Sequence, residues 1–236
     1  MSILAIIPAR GGSKGIKRKN LVDIAGAPLV AHSIRHALAA ERVDRVIVST
    51  EDAEIATVAR AEGADVPFMR PMELALDHVL DWPVFEHVLT RLAADEGYRP
   101  DLVVHLRPTS PFREPRWIDE AVALLEAHPD ADSLRSVSKV EQHPWRVFKI
   151  DAAGMLEPLM KHEHPQPYLL RRQDLPPLYL YNCVIDVTRF STVMDKKSMT
   201  GERMLPYVMD ANDVLDVDTP RDLDFARVVM EKRRQP

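Results

Sequence analysis

ILAIIPARGGSKGIKRKN, residues 3–20, decides the fold: an unbroken apolar run, Ile3–Pro8, passes straight into a loop holding Gly11, Gly12 and Gly15, three of the chain's eight glycines. An apolar run of that length, ended by a turn signal, predicts a strand buried on both faces. Open α/β sheets bind their ligands just outside the carboxyl ends of such strands. Arg10, Lys14, Lys17, Arg18 and Lys19 bring five cations into the loop. Glycine there permits a positive φ and a close backbone approach. Backbone N–H groups, a multidentate Arg and point-charge Lys are what a triphosphate requires. The loop is neither a Walker A motif, which ends in Gly-Lys-Ser/Thr, nor the dinucleotide fingerprint. A solvated basic turn would have the same composition, but the position directly after the first strand favours the ligand loop.

Outward from this loop, strand-length apolar runs alternate with helix-length amphipathic ones. Pro28–Glu41 reads as a helix opened by its proline, Arg45–Thr50 as a strand, and Ala53–Glu62 as a helix closed by Gly63. Asp81–Glu96 reads as a helix that tolerates Pro83 only in its first turn. Leu102–Leu106 is a third strand and Trp117–Ala127 its helix. This rhythm predicts an α/β fold with a doubly wound, mostly parallel sheet covered on both faces. After residue 132 it changes. Ser133–Val140, Val147–Ile150 and Tyr179–Val187 follow as strands without helices, around the polar, proline-punctuated stretch Glu157–Pro177. Such a stretch suits an arm better than a core. Leu205–Met209, Val214–Asp218 and a helix from Pro220 to about Arg233 restore the pattern. Residues 1–236 thus read as one domain with a β-rich excursion over about 133–187 that packs on a second subunit.

Composition narrows the function. Hydrophobic residues at 46% and charged residues at 28% fit an ordinary globular domain. The net charge of -5 offers no general basic field, so nucleic acid is a poor partner and an anionic ligand needs local clusters of Arg and Lys. Cys183 is the only cysteine, which excludes an intrachain disulfide and a thiolate metal cluster and fits a reducing compartment. It reads as a small packing residue in a strand, with no base or cation beside it. No stretch approaches the ~20 apolar residues of a membrane span. The run at residues 3–7 is short for a signal-peptide core and meets Pro8 and Arg10 at once. The expectation is a cytoplasmic protein. The nine histidines show no HExxH spacing; His32 and His36 read as flanking a helix surface, and none receives a role.

Asp216 and Asp218 lie two apart in an expected strand, which places both carboxylates on one face. Such a pair repels itself unless a cation or hydrogen-bond donors intervene, and hard oxygen ligands suit Mg²⁺. Thr219 and Asp222 equally compose a helix N-terminus, so the same residues admit a capping reading. Arg107, Thr109 and Ser110 end a central strand, where polar residues point into a site. Arg171, Arg172 and Gln173 sit beside Asp174 in the arm; Arg there suits a sugar carboxylate, or is simply a surface residue.

Pro8–Gly15 with Lys19-Asn20 resembles the CMP-N-acylneuraminate cytidylyltransferases, which make CMP-sialic acid and its bacterial nonulosonate relatives. The resemblance continues in order through Ser49-Thr50-Glu51-Asp52, Arg70–Asp77, Leu106–Pro111, Arg172–Pro176 and Asp216-Val217-Asp218. It implies CTP and an acidic sugar as substrates, Mg²⁺ on Asp216 and Asp218, and a homodimer. It places Ala9, Arg10, Gly11, Gly12, Ser13, Lys14, Lys19 and Asn20 on the nucleotide, with Arg10 and Lys19 stabilising developing charge. Arg70 and Asp81 fall at the base. Arg107, Thr109, Ser110, Arg146, Arg172, Gln173, Asn182 and Asp186 fall on the sugar side. The chain departs from the family where Asp81 replaces a frequent serine, Cys183 a glycine, Asp186 an aromatic residue, and Met199-Thr200 pocket aromatics. A carboxylate at 81 accepts from the amino group of cytosine or the paired N–H groups of guanine; it would also cap the helix entering at Trp82-Pro83. A GTP-using or sugar-1-phosphate nucleotidyltransferase of the same fold, and a catalytically silent nucleotide-binding module, are the alternatives. Intact Lys14, Lys19, Asp216 and Asp218 weigh against the last.

Overall fold

The computed structural model describes residues 1–160 and 162–234; Lys161 of the expected arm and residues 235–236 lie outside the described residues. In chain order the elements are β1 (Ile3–Pro8), β2 (Asp23–Ile24), β3 (Ala27–Pro28), α1 (Leu29–Ala39), β4 (Arg45–Ser49), α2 (Ala53–Ala61), α3 (Asp81–Glu96), β5 (Leu102–His105) and α4 (Pro115–Glu126). Then come β6 (Ser133–Lys139), β7 (Phe148–Ile150), β8 (Leu156–Pro158), β9 (Tyr179–Arg189), α5 (Phe190–Met194), β10 (Met204–Met209) and α6 (Pro220–Arg234). Six strands form the main sheet in the order β10-β6-β9-β5-β1-β4. β1 is parallel to both β4 and β5, and β10 to β6, while β9 runs antiparallel to β5 and β6.

The period-2 geometry of β1 explains the two-sided core. Ile3, Ala5 and Ile7 join a cluster with α1, α2 and α4, whereas Leu4 and Ile6 join one with α3 and Val193 of α5. Local signals set the helix ends. The Asp52 side chain accepts from the Glu54 and Ile55 N–H groups to start α2. Pro115 stands in the first turn of α4, and Gly97, at φ 68°, closes α3.

Three expectations change. β6 and β9 belong to the main sheet, so the excursion narrows from 133–187 to about residues 140–178, where β7 and β8 form a separate antiparallel pair. Residues 214–218 form no strand; one main-chain bond, from the Val217 N–H to the Thr109 carbonyl at 2.8 Å, pins the segment beside the sheet. Val217 is fully buried while Asp216 and Asp218 both face the adjoining pocket, so the alternation survives without a ladder. His32 and His36 face inward instead of flanking the surface. His32 is buried against the Ile24 carbonyl at 2.9 Å, and burial, followed by the field of Arg113, pushes the His36 pKa down to about 3.

Candidate active site

A pocket of about 400 Å³ opens where the loops after β1 and β5 meet the 214–218 segment. Gly11 and Gly15 are small because other chain segments approach them. A Cβ would stand 2.3 Å from Asp52 Oδ2 at Gly11 and 2.5 Å from the Asp218 carbonyl oxygen at Gly15; at Gly12 nothing lies within 4 Å. None of the three has a positive φ, so close approach and not a left-handed turn explains Gly11 and Gly15. Gly15 thereby seats the cationic loop directly against the carboxylate segment. Asn20 is buried and fastens the loop by donating from Nδ2 to the Arg10 carbonyl at 2.8 Å.

The loop cations divide. Arg10 Nη1 and Lys14 Nζ both reach Asp77, at 2.8 and 2.5 Å, and Lys19 Nζ reaches Asp218 Oδ1 at 2.7 Å. Arg18 turns away to Asp52 and Glu54 at the start of α2 and leaves the pocket to the others. Arg10, Ser13, Lys19 and Asn20 line the cavity; Ala9 is buried behind it, and Gly11, Gly12 and Lys14 stand in the loop beside it. The Gly11 N–H is already held by Glu51 Oε1 at 2.6 Å. Arg70 lines the pocket from a buried position, with Nη2 donating to the Ser49 carbonyl at 3.1 Å and lying 3.3 Å from Glu51 Oε2 in an ion pair.

Across from Lys19, Asp216 Oδ1 is buried without a hydrogen-bond partner. Burial raises the Asp216 pKa; Thr109 opposes that by hydrogen bonding to the carboxyl group, and the Asp218 carboxylate adds to it. An orphaned carboxylate oxygen, a second carboxylate two residues on and room for a ligand fit a hard cation. Among the described residues no three acidic, His or Cys side chains cluster as a protein-only cage. One or two carboxylates completed by phosphate and water is the usual protein share of a Mg²⁺ site.

The third wall is a charge network that no local spacing predicts. Arg107 donates from Nη1 to the Tyr181 hydroxyl at 2.6 Å and to Asp186 Oδ2 at 3.0 Å, and from Nη2 to Asp81 Oδ2 at 2.7 Å. Tyr181 in turn donates to Asp186. Burial opposes the Arg107 charge, but Tyr181, Asp81 and Asp186 outweigh it and raise its pKa. Asp81 lines the pocket and does not cap α3, whose N-cap is Leu80 with no side-chain capping bond. Two departures noted in the sequence, at 81 and 186, therefore meet on one guanidinium.

Other expected sugar-side residues stand elsewhere. Thr109 lines the pocket, but Ser110 is buried away from it. Asn182 is buried in a bulge of β9, accepting from Ser136 Oγ at 2.5 Å and donating to Ser138 Oγ at 2.8 Å. Asp186 is also buried, and meets the cavity wall through Arg107 at 3.0 Å and His105 Nδ1 at 3.7 Å. Arg146, Arg172 and Gln173 are exposed on the arm and do not line the pocket; Arg146 donates to the Leu170 carbonyl at 2.5 Å. Cys183 is half-buried at φ 62°, lines the cavity, and has Arg107 as the nearby cation that the sequence did not reveal. Burial raises its thiol pKa, which disfavours a nucleophilic role.

Sequence reasoning also passed over Asp77 and His105. Asp77 closes the quoted 70–77 motif but received no role. His105 ends β5, lines the pocket while 2% exposed, and is held neutral because burial, then Arg107, lowers its pKa. Its place at the carboxyl end of a central strand was the available signal.

A doubly wound sheet, a cationic glycine loop and a facing carboxylate pair define a nucleotide-dependent transferase. The cytidylyltransferase family profile matches residues 4–192. The chain is 33% identical to a CMP-N,N'-diacetyllegionaminic acid synthase of Legionella pneumophila over 100% of this chain and 99% of that one. It is 30% identical to an N-acylneuraminate cytidylyltransferase of Escherichia coli over 99% of this chain, which spans 53% of that protein's length. In fold it is similar to a CMP:2-keto-3-deoxy-manno-octonic acid synthetase complexed with CTP, with a TM-score of 0.73 at 20% identity, covering 99% of this chain and 100% of the other. The chain belongs to the cytidylyltransferase family.

Proposed function

We propose that this enzyme transfers the cytidylyl group of CTP to the anomeric hydroxyl of an acidic nonulosonic sugar, releasing pyrophosphate. The observation that carries the reading is the cationic loop packed through Gly15 against Asp216–Asp218, with Lys19 Nζ 2.7 Å from Asp218. Arg10, Lys14 and Lys19 hold the phosphates, and Arg10 and Lys19 neutralise charge that develops on the leaving pyrophosphate. Asp216 and Asp218 would hold Mg²⁺, which when bound would supply Lewis-acid neutralisation of the phosphate charge. The hydroxyl attacks the α-phosphorus, the bond to the bridging oxygen of pyrophosphate breaks, and the proton leaves toward the carboxylate side of the pocket. Asn20, Arg70 and Asp81 face the base, with Asp81 fixed as an acceptor by Arg107. An acceptor suits this chain when it is a nonulosonic acid of the kind named for its relatives, a legionaminic or N-acylneuraminic acid.

The working unit is a homodimer. The arm exposes Ile150, Met155, Leu156 and Leu169, each more than 60% accessible, which is a mark of an interface surface. Arg146, Arg172 and Gln173, distant from their own pocket, then serve the neighbouring one. Sedimentation as a dimer at micromolar concentration is the expected result, and a monomer there refutes this part. No helix among the described residues is long and apolar enough to cross a membrane; the compartment proposed is the cytoplasm. Pyrophosphate release from each of the four triphosphates with a panel of nonulosonic acids and sugar phosphates tests the reaction. CTP with a nonulosonic acid is expected to turn over fastest; faster turnover with GTP overturns the nucleotide, and turnover only with sugar phosphates overturns the acceptor.

A further inference from the structure

The three cations of the glycine loop that face the phosphate site are already paired with carboxylates. Asp218 takes Lys19, while a single side chain, Asp77, takes both Arg10 and Lys14, with one oxygen to each at 2.8 and 2.5 Å. Asp77 lies between the 3-10 turn Met72–Ala75 and α3, and it lines the same pocket. Arg10 Nη1 also reaches the Ala75 carbonyl at 3.4 Å, so the whole 72–77 segment is clipped onto the loop. Two anionic oxygens on one carbon, each holding one cation, present the charge and the fork geometry of a phosphate group. The Lys14 ammonium, then Arg10, keeps the Asp77 carboxyl below the usual carboxylate range, so it is ionised at neutral pH.

Building on the cytidylyltransferase reading, we infer that Asp77 is a positioning residue that occupies the place of a triphosphate group on Arg10 and Lys14 and gives way to it. The pair needs no large force to open. Lys14 is 82% and Asp77 45% exposed, and ion pairs of that exposure are screened and weak. In the ligand-free chain Asp77 keeps two like charges together at pocket-forming separation; without it they repel and spread. When polyphosphate arrives, Asp77 is expelled and the 72–77 segment is released from the loop. When pyrophosphate leaves, Asp77 returns and prevents its rebinding. Asp77 thus competes with both substrate phosphate and product.

The test titrates inorganic tripolyphosphate, and separately CTP, into the full chain and into Asp77→Asn in Mg²⁺ buffer without acceptor. Removing the competitor while keeping its size is expected to tighten tripolyphosphate binding by about two- to five-fold, the scale of an exposed ion pair. The same change lowers the KM for CTP, leaves kcat equal or lower because pyrophosphate departs more slowly, and strengthens product inhibition by pyrophosphate. Asp77→Glu restores wild-type behaviour. An unchanged tripolyphosphate ratio, weaker binding by Asp77→Asn, or no binding by either chain overturns the inference. The base takes no part in that arm, so its failure is distinct from failure of the function, which acceptor-dependent pyrophosphate release from CTP judges.

Discussion

Along β1 five of six residues are buried, whereas along β8 all three are exposed. The first strand lies between two neighbours and two helical layers, so every side chain finds apolar contacts. The second pairs only with β7, and the apolar side chains near it, Ile150, Met155 and Leu156, face outward. The sheet region is complete within one chain; the arm presents apolar surface that one chain does not cover. The pocket belongs wholly to the first region, and the arginines of the second, Arg146 and Arg172, are exposed and line no part of it. The same types of apolar residue are thus buried where neighbours converge on them, in the sheet, and exposed where they do not, on the arm.

The sharpest break between the regions is catalytic. Asp216→Ala and Asp218→Ala are each expected to lower pyrophosphate release by about three orders of magnitude, the scale of several kcal/mol of metal charge stabilisation, with an unchanged thermal transition. Near-normal turnover at saturating Mg²⁺ removes the metal role. Next is packing. Ile6→Ala, at a fully buried position in β1, should cost about 3 kcal/mol in urea unfolding. Ile150→Ala on the arm should stay within about 0.5 kcal/mol for the isolated chain while weakening dimerisation; equal costs would erase the distinction between the regions.

Titration of the sheet region gives a graded effect, smaller per pH unit than the loss of Ile6. His36 binds its proton far less readily when folded than at its ordinary value near 6.5, because burial disfavours the charged ring. The unfolded chain therefore takes up the proton first, and stability falls as pH drops below 6.5 and continues to fall toward 3, at no more than roughly 1.4 kcal/mol per pH unit. His36→Gln should flatten the acid limb of the urea midpoint between those values, and an identical slope removes His36 as its source. Smallest is Tyr181→Phe, which deletes the hydroxyl shared by Arg107 and Asp186 and should cost about 1 kcal/mol. If Arg107 orients Asp81 through this network, the same variant raises the KM for CTP while the thermal transition shifts only slightly.

By itself the sequence determined what depends on neighbours in the chain. The unbroken apolar run at 3–8, the glycine and lysine spacing after it, Pro28 before α1 and Gly63 after α2 all act within a few residues, and period and capping rules read them directly. It also placed Asp216 and Asp218 on one side, since alternation needs only an extended backbone and not the ladder that was expected there. Tertiary structure decided the partners of the charges. That Asp77 serves Arg10 and Lys14, that Asp81 and Asp186 share Arg107, and that Asn182 braces a bulge between Ser136 and Ser138 follow from which segments lie side by side. β9 enters antiparallel between β5 and β6, bringing Tyr181 and Asp186 to the end of β5 across some eighty positions of sequence, with 79 between Arg107 and Asp186. Electrostatic pairing acts through space and carries no period, so a charged residue's role is fixed only when the sheet order sets its neighbours.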